Sequence, residues 1–105
     1  MLGDLVNRIQ GAKLEAQEKL KNLVITKSDL NGWVTVQVNG QRKITDLKVS
    51  KEIIEKGEPE LLEDVLTNVL NDAIEEAANR EKEVMEEIAK DVMPGGLGGL
   101  KGLFG

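Results

Sequence analysis

Carboxylates are the commonest reactive groups in this sequence, with adjacent pairs at Glu63-Asp64, Glu75-Glu76 and Glu86-Glu87. Paired-carboxylate catalysis needs two groups aimed at one bond, one of them buried so that it keeps its proton. Neighbours in a helix point about 100° apart and cannot converge in that way. The chain has no histidine and no cysteine. The commonest general base, the thiolate nucleophile and the usual ligands of transition metals are therefore missing. Helical carboxylate metal clusters are built on Glu-x-x-His, so these acids do not form one. The glycines from Gly95 onward follow a helix and lead into no second one, unlike a phosphate-binding loop. Asn71-Asp72, poor helix formers in mid-helix, lie off the apolar stripe and read as exposed filler or as a contact to a partner subunit. No catalytic constellation, metal set or cofactor motif emerges, and a binding protein is expected.

The charge is unevenly spread. Net charge is −5, yet residues 1–56 hold ten Lys/Arg against seven Asp/Glu, and residues 57–105 hold four against twelve. Two surfaces of opposite character follow, unless the acids merely solvate the outer face of a helix. At 105 residues one domain is expected over 1–93, followed by a Gly/Leu-rich tail over 94–105. Trp33 and Phe104 are the only aromatics, so the core must come from Leu, Val, Ile and Ala. A core that modest gains from oligomerisation. No run approaches the ~18 apolar residues of a membrane span, and no signal-peptide pattern opens the chain. A cytoplasmic protein is expected.

The elements that position these charges are readable from period. Leu5, Ile9, Ala12, Ala16, Leu20 and Leu23 make one helical stripe, which predicts a first helix capped by Asp4 and running to about Lys21. Leu23-Val24-Ile25-Thr26 reads as a short strand closed by a turn at 28–32. Trp33 to Asn39 alternates strictly, with Val34, Val36 and Val38 on one face, which predicts a half-buried strand. Asn39-Gly40 predicts a type I′ hairpin turn, and Lys43 to Val49 returns. Its apolar residues Ile44, Leu47 and Val49 break parity, so a bulge is expected between 44 and 47. A connector over 50–58 carries a helical turn near Ile53. Pro59 then opens a helix reaching about Val92, a rod of roughly 50 Å. A compact chain of this size has a radius of gyration of only about 13 Å. The rod must overhang as an arm, and such an arm calls for a dimer. Leu70, Ile74, Ala77, Glu81, Val84 and Ile88 keep heptad-like spacing, a seam for the antiparallel first helix. Half of the last twelve residues are glycine, punctuated by Leu97, Leu100, Leu103 and Phe104. That composition reads as a flexible linker with apolar stickers, which either stay free or dock on a partner chain or on the arm.

Helix, three-stranded antiparallel meander and long helix, an α+β order, come with Val34-x-Val36-x-Val38-Asn39-Gly40, Leu62-Glu63-Asp64 and Asn71-Asp72-Ala73. Together with the closing Met-Pro-Gly-Gly-Leu-Gly-Gly-Leu, these residues resemble the YbaB/EbfC family over nearly the whole chain. The resemblance implies a homodimer with projecting, tweezer-like helical arms. It further implies a bacterial nucleoid-associated protein that binds DNA with low sequence specificity. Phosphates must be neutralised by Lys/Arg, and the long helix is acidic, so the basic half has to meet the duplex. The candidates are Arg8, Lys13, Lys19 and Lys21 on the first helix, with Arg42, Lys43 and Lys48 on the hairpin. The competing reading is a protein–protein adaptor whose acidic arms and sticky tail engage a basic DNA repair or replication protein. A membrane-surface helix is disfavoured, because such helices carry Lys/Arg on the polar face and this one carries Glu.

Overall fold

A computed structural model describes residues 2–92 of the chain. Helix α1 (Leu2–Asn22) leads into strands β1 (Ile25–Ser28), β2 (Val34–Val38) and β3 (Ile44–Val49). A short helix α2 (Lys51–Glu55) and the long helix α3 (Pro59–Val92) complete it. The strands form an antiparallel meander in the order β1-β2-β3, so the expected α+β architecture is the observed one. Helix α1 starts at Leu2, ahead of the expected cap at Asp4, which sits inside the first turn. Strand β1 lies later than Leu23–Thr26, and Trp33 stands just outside β2, where its carbonyl accepts from the Ser50 N–H. Asp29 closes the β1–β2 turn by accepting from the N–H groups of Asn31 and Val34 through its carboxylate.

The core follows from alternation. Val34, Val36 and Val38 are fully buried and pack with Ile25 against Val69, Ala73 and Ala77 of α3. Small residues at 73 and 77 let the helix lie close to the valine-bearing sheet. Helix α3 packs on β1 and β2, with Lys27 of β1 paired to Glu76 at 3.1 Å. Strand β3 is left uncovered on this side. Ser50 caps α2 by accepting from the Ile53 N–H, and Ile53 is buried.

Two details of the β2–β3 hairpin differ from expectation. Neither Asn39 nor Gly40 has a positive φ; the left-handed residue is Arg42, at φ 64°. The loop is thus three residues long with a left-handed third residue, not a two-residue type I′ turn. The Asn39 side chain organises it, accepting from the N–H groups of Gln41 and Lys43. Gly40 is required for a different reason. Its N–H donates to the Leu20 carbonyl at 2.8 Å, and a Cβ there would stand 2.8 Å from that same oxygen. The bulge is present: Gln37 pairs with Asp46 but Val38 with Ile44, leaving Thr45 as the extra residue.

The molecule measures 64 × 28 × 15 Å with a radius of gyration of 19.3 Å, far above the ~13 Å of a compact chain. The overhang is real, and its base is where α1 lies along the outer part of α3. Ala16 and Leu20 pack with Val84 and Ile88. The rest of the expected seam is divided differently. Ala77 belongs to the sheet core, Glu81 to the hairpin, and Ile74 stays 40% exposed.

Gly40→Ala should lower stability by about 1–3 kcal/mol, because backbone of α1 cannot yield to the new methyl. Gly11→Ala, with open space around it, should raise stability by about 0.5–1 kcal/mol as an ordinary helix-interior exchange. Urea unfolding of the two variants beside the parent chain reads both signs.

Candidate nucleic-acid interface

The base of the arm is a three-way junction. Helix α1 meets the β2–β3 loop through Gly40 and Leu20, and Gln41 adds a second tie by donating to the Gln17 carbonyl at 3.3 Å. Arg42, turned by its left-handed backbone, pairs with Glu81 of α3 at 3.5 Å. Lys19 of α1 pairs with Glu87 of α3 at 3.3 Å. Three sequence-distant segments are therefore held together by one backbone hydrogen bond, one side-chain hydrogen bond and two ion pairs.

This junction gathers some of the sequence-derived basic residues and leaves others apart. Lys19 and Arg42 lie in it, ion-paired. Lys21 follows the Leu20 contact directly and Lys43 follows Arg42, both exposed. Neither Lys21 nor Lys43 makes an ion pair among the described residues. Lys13 and Arg8 are exposed farther out on α1. Arg8 is eleven residues from Lys19, about 16 Å along the helix axis. Lys48 is opposite Thr35, on the sheet face turned away from α3, and five strand residues from Lys43, about 16 Å. The cations tied into the junction are therefore Lys19 and Arg42, with Lys21 and Lys43 exposed beside them in sequence and Gln41 between the strands' ends and α1 as a neutral donor. Two residues apart on one helix, Lys19 and Lys21 flank opposite sides of Leu20. Gln41 carried no signal in the sequence, because only the docking of loop on helix gives it a place.

The acids of α3 set the electrical background. The helix holds eleven Asp/Glu against three Lys/Arg. Both junction cations are neutralised by its carboxylates, but only in exposed pairs. Lys19 and Glu87 are 53% and 64% exposed, so water screens the attraction and the pair can be exchanged for another anion at small cost. Among the described residues there is no cluster of acids able to hold a metal ion, and no helix is long and apolar enough to cross a membrane. The surface offers open depressions, one of them bounded by Ile53, Ile54, Gly57, Glu58, Pro59 and Leu62. The group at the junction suits a rod-like polyanion whose charges repeat along a convex surface, not a small molecule that must be enclosed.

The sequence profile described as the YbaB/EbfC DNA-binding family matches residues 2–92. A nucleoid-associated protein of Chloroflexus aurantiacus is 29% identical over 103 residues, covering 98% of this chain and 95% of that protein. One from Agathobacter rectalis is 33% identical over 97 residues, covering 92% and 80%. One from Desulfotalea psychrophila is 36% identical over 80 residues, 76% of each. Among solved structures, that of the uncharacterized protein HP0035 from Helicobacter pylori superposes with a TM-score of 0.73 at 25% identity. The match covers 80% of this chain and 88% of that one.

A double-mutant cycle on Lys19→Ala and Glu87→Ala should return a coupling on the order of 0.5 kcal/mol, the ordinary value for an exposed pair. A coupling several times larger would mean that the lysine is committed to the fold and not available to a ligand.

Proposed function

The chain belongs to the YbaB/EbfC DNA-binding family, and on that premise we propose that it is a non-catalytic, homodimeric nucleoid-associated protein holding DNA by phosphate contact with low sequence specificity. The observation that carries the location of binding is the junction group. Lys19 and Arg42 lie where α1, the hairpin loop and α3 meet, and Lys21 and Lys43 are their exposed neighbours in sequence, Lys21 on the other flank of Leu20. Phosphate oxygens replace Glu87 and Glu81 as partners of Lys19 and Arg42, while Lys21 and Lys43 engage directly. Contacts of this type fix the protein on the backbone and carry no base information. Arg8 and Lys13, farther out on α1, extend the track along the arm. Lys48 faces another side and contributes through the general field alone.

The dimer is supported by an incomplete core. Opposite residues in a β-ladder share a face, so Ile44, Leu47 and Val49 lie on the same side as Val38, Val36 and Val34. The three valines are covered by α3, whereas Ile44 and Leu47 remain 51% and 45% exposed. Beside them runs a flank of α3. Leu70, Ile74 and Glu81 fall on one line of the helix, and Arg42 holds Glu81 toward the hairpin. Leu70 and Ile74 therefore stand as a wall over a floor made by β3. A second copy presenting the same wall and floor about a two-fold axis closes both cores at once. The two arms then project from one central body, with two junction groups available to one duplex.

Titration of fluorescent duplexes at about 50 mM salt, where phosphate contacts are strongest, tests the binding. Arg42→Glu with Lys43→Glu should weaken it at least about tenfold, equally on unrelated sequences, and neutral replacement of one contact should lower the salt slope by about one. Lys51→Glu, at the far end of the sheet, should change little. No binding by the parent chain would leave the adaptor reading, in which a basic repair or replication protein is captured with no DNA contact.

Light scattering at micromolar protein should give the mass of a dimer, and Leu47→Asp should give a folded monomer. A parent chain that is itself monomeric would overturn the two-fold arrangement while leaving the DNA contacts to be judged on their own.

A further inference from the structure

The apolar stripe of α1 does not stop where its partner helix does. Ala12, Ala16 and Leu20 lie on one line of the helix, and toward the N-terminus that line continues through Ile9, Leu5 with Val6, and Leu2. Ala16 and Leu20 are buried against Val84 and Ile88, but every residue from Leu2 to Gln10 is exposed. Leu2 is 79% exposed, Val6 49% and Ile9 45%. The antiparallel register explains why. Lys19 stands beside Glu87, and each residue back along α1 corresponds to one forward along α3. Val92, the last described residue of α3, thus comes level with about Leu14. Beyond that level no described residue opposes the stripe of α1. Helix α3 ends there, its axis running toward the N-terminus of α1.

We infer that residues 93–105 take over from α3 as the cover of this stripe, with Leu97, Leu100, Leu103 and Phe104 of one chain lying on Ile9, Val6, Leu5 and Leu2 of the same chain. Three observations carry this. The stripe is a continuation of an interface already formed by α1 and α3. Helix α3 ends level with the start of that stripe, and its axis runs antiparallel to α1. The segment's apolar residues Leu97, Leu100 and Leu103 recur every third position, with Phe104 next to the last, and the glycines between them allow close approach. Reach is ample. Leu100 is eight residues past Val92, a span of up to about 26 Å, while Leu5 is only about 13 Å along α1 from the level of Val92. Docking also brings Lys101, the only charged residue of the segment, onto the arm near Arg8. This inference does not depend on DNA binding.

The absence of cysteine from the chain allows a clean test on the full-length protein. Leu5→Cys with Leu100→Cys and Asn7→Cys with Leu100→Cys place one thiol at nearly the same height on α1, on the stripe and on the opposite face respectively. Under mild oxidation the first pair should close an intramolecular disulfide about tenfold faster than the second, since docking raises the effective concentration on one face only. Equal rates would mean a tail that samples both faces, and would overturn the proposal. Disulfides between two chains, whether they join the two α1 thiols or the α1 thiol of one chain to the tail thiol of another, would make a second copy the occupant of the stripe. That outcome would overturn the proposal as well.

Discussion

A sheet of three strands is about 15 Å across and its strands are under 20 Å long, whereas a helix of 34 residues runs about 51 Å. No orientation of α3 lets this sheet cover it. The remaining features of the molecule are responses to that mismatch. The inner part of α3 buries Val69, Ala73 and Ala77 against the valine row of β2. The outer part has only α1 to lie against, and it offers α1 a narrow contact, Val84 and Ile88 among charges. An arm held by so little apolar surface would pivot if nothing else tied it to the sheet. Gly40 supplies the tie. With no side chain at that position, the hairpin loop approaches α1 closely enough for a backbone hydrogen bond to the Leu20 carbonyl. The Leu20 carbonyl, which also accepts from the Leu23 N–H, thereby takes a second and shorter hydrogen bond from the hairpin loop.

The same tie decides where positive charge can gather. Helix α3 alone would repel DNA. Lys19 and Lys21, however, sit in the last turn of α1, where cations are favoured by the helix dipole, and the loop that docks there brings Arg42 and Lys43. The carboxylates of Glu81 and Glu87 orient two of these cations without burying them. In the binding mode proposed above they act as exchangeable counterions, holding the side chains in place in the free protein and yielding to phosphate at a cost that salt makes smaller still. On the proposed reading, an acidic protein binds DNA because its basic residues are concentrated at one place by the fold, and its acids keep the affinity moderate.

Much of this was legible in the residues, for reasons that differ from element to element. The alternation of Val34, Val36 and Val38 reports burial directly, and the predicted face is the buried one. The broken parity of Ile44 and Leu47 announced the bulge, because a one-residue shift is the only way to return both to one face. Asn39-Gly40 pointed to a hairpin correctly but through the wrong geometry. The asparagine acts with its side chain, and the glycine is needed for contact with a helix twenty residues earlier, a constraint that no local window contains. The division of the seam was hidden for a similar reason. Spacing alone assigns Leu70 and Ile74 to whichever helix lies alongside, and only the docked hairpin shows that α1 stops short of them. Among the basic residues, charge sums could select a half of the chain but not a surface, since Lys19 and Arg42 reach one junction only because the loop docks on α1 at Gly40.

The half-covered sheet and the unopposed stripe are two uncovered ends of one structure, and they ask for different occupants. Beside the sheet core, Ile44 and Leu47 of β3 and Ile74 of α3 are exposed, with Leu70 half-buried next to Ile74 on the helix. In the proposed dimer each copy brings a helix for the other's open strand, which suits a two-fold axis. The stripe on α1 is a single convex line of Ile9, Val6, Leu5 and Leu2, with no wall. A convex line is poorly matched to another convex helix at a tip that has no tie to the sheet, and it is better matched by a chain that can wrap it. Shape therefore separates what hydrophobicity alone would treat alike. On the readings proposed above, the surface near the sheet suits a folded partner, and the convex line at the arm's end suits a chain segment that can follow it.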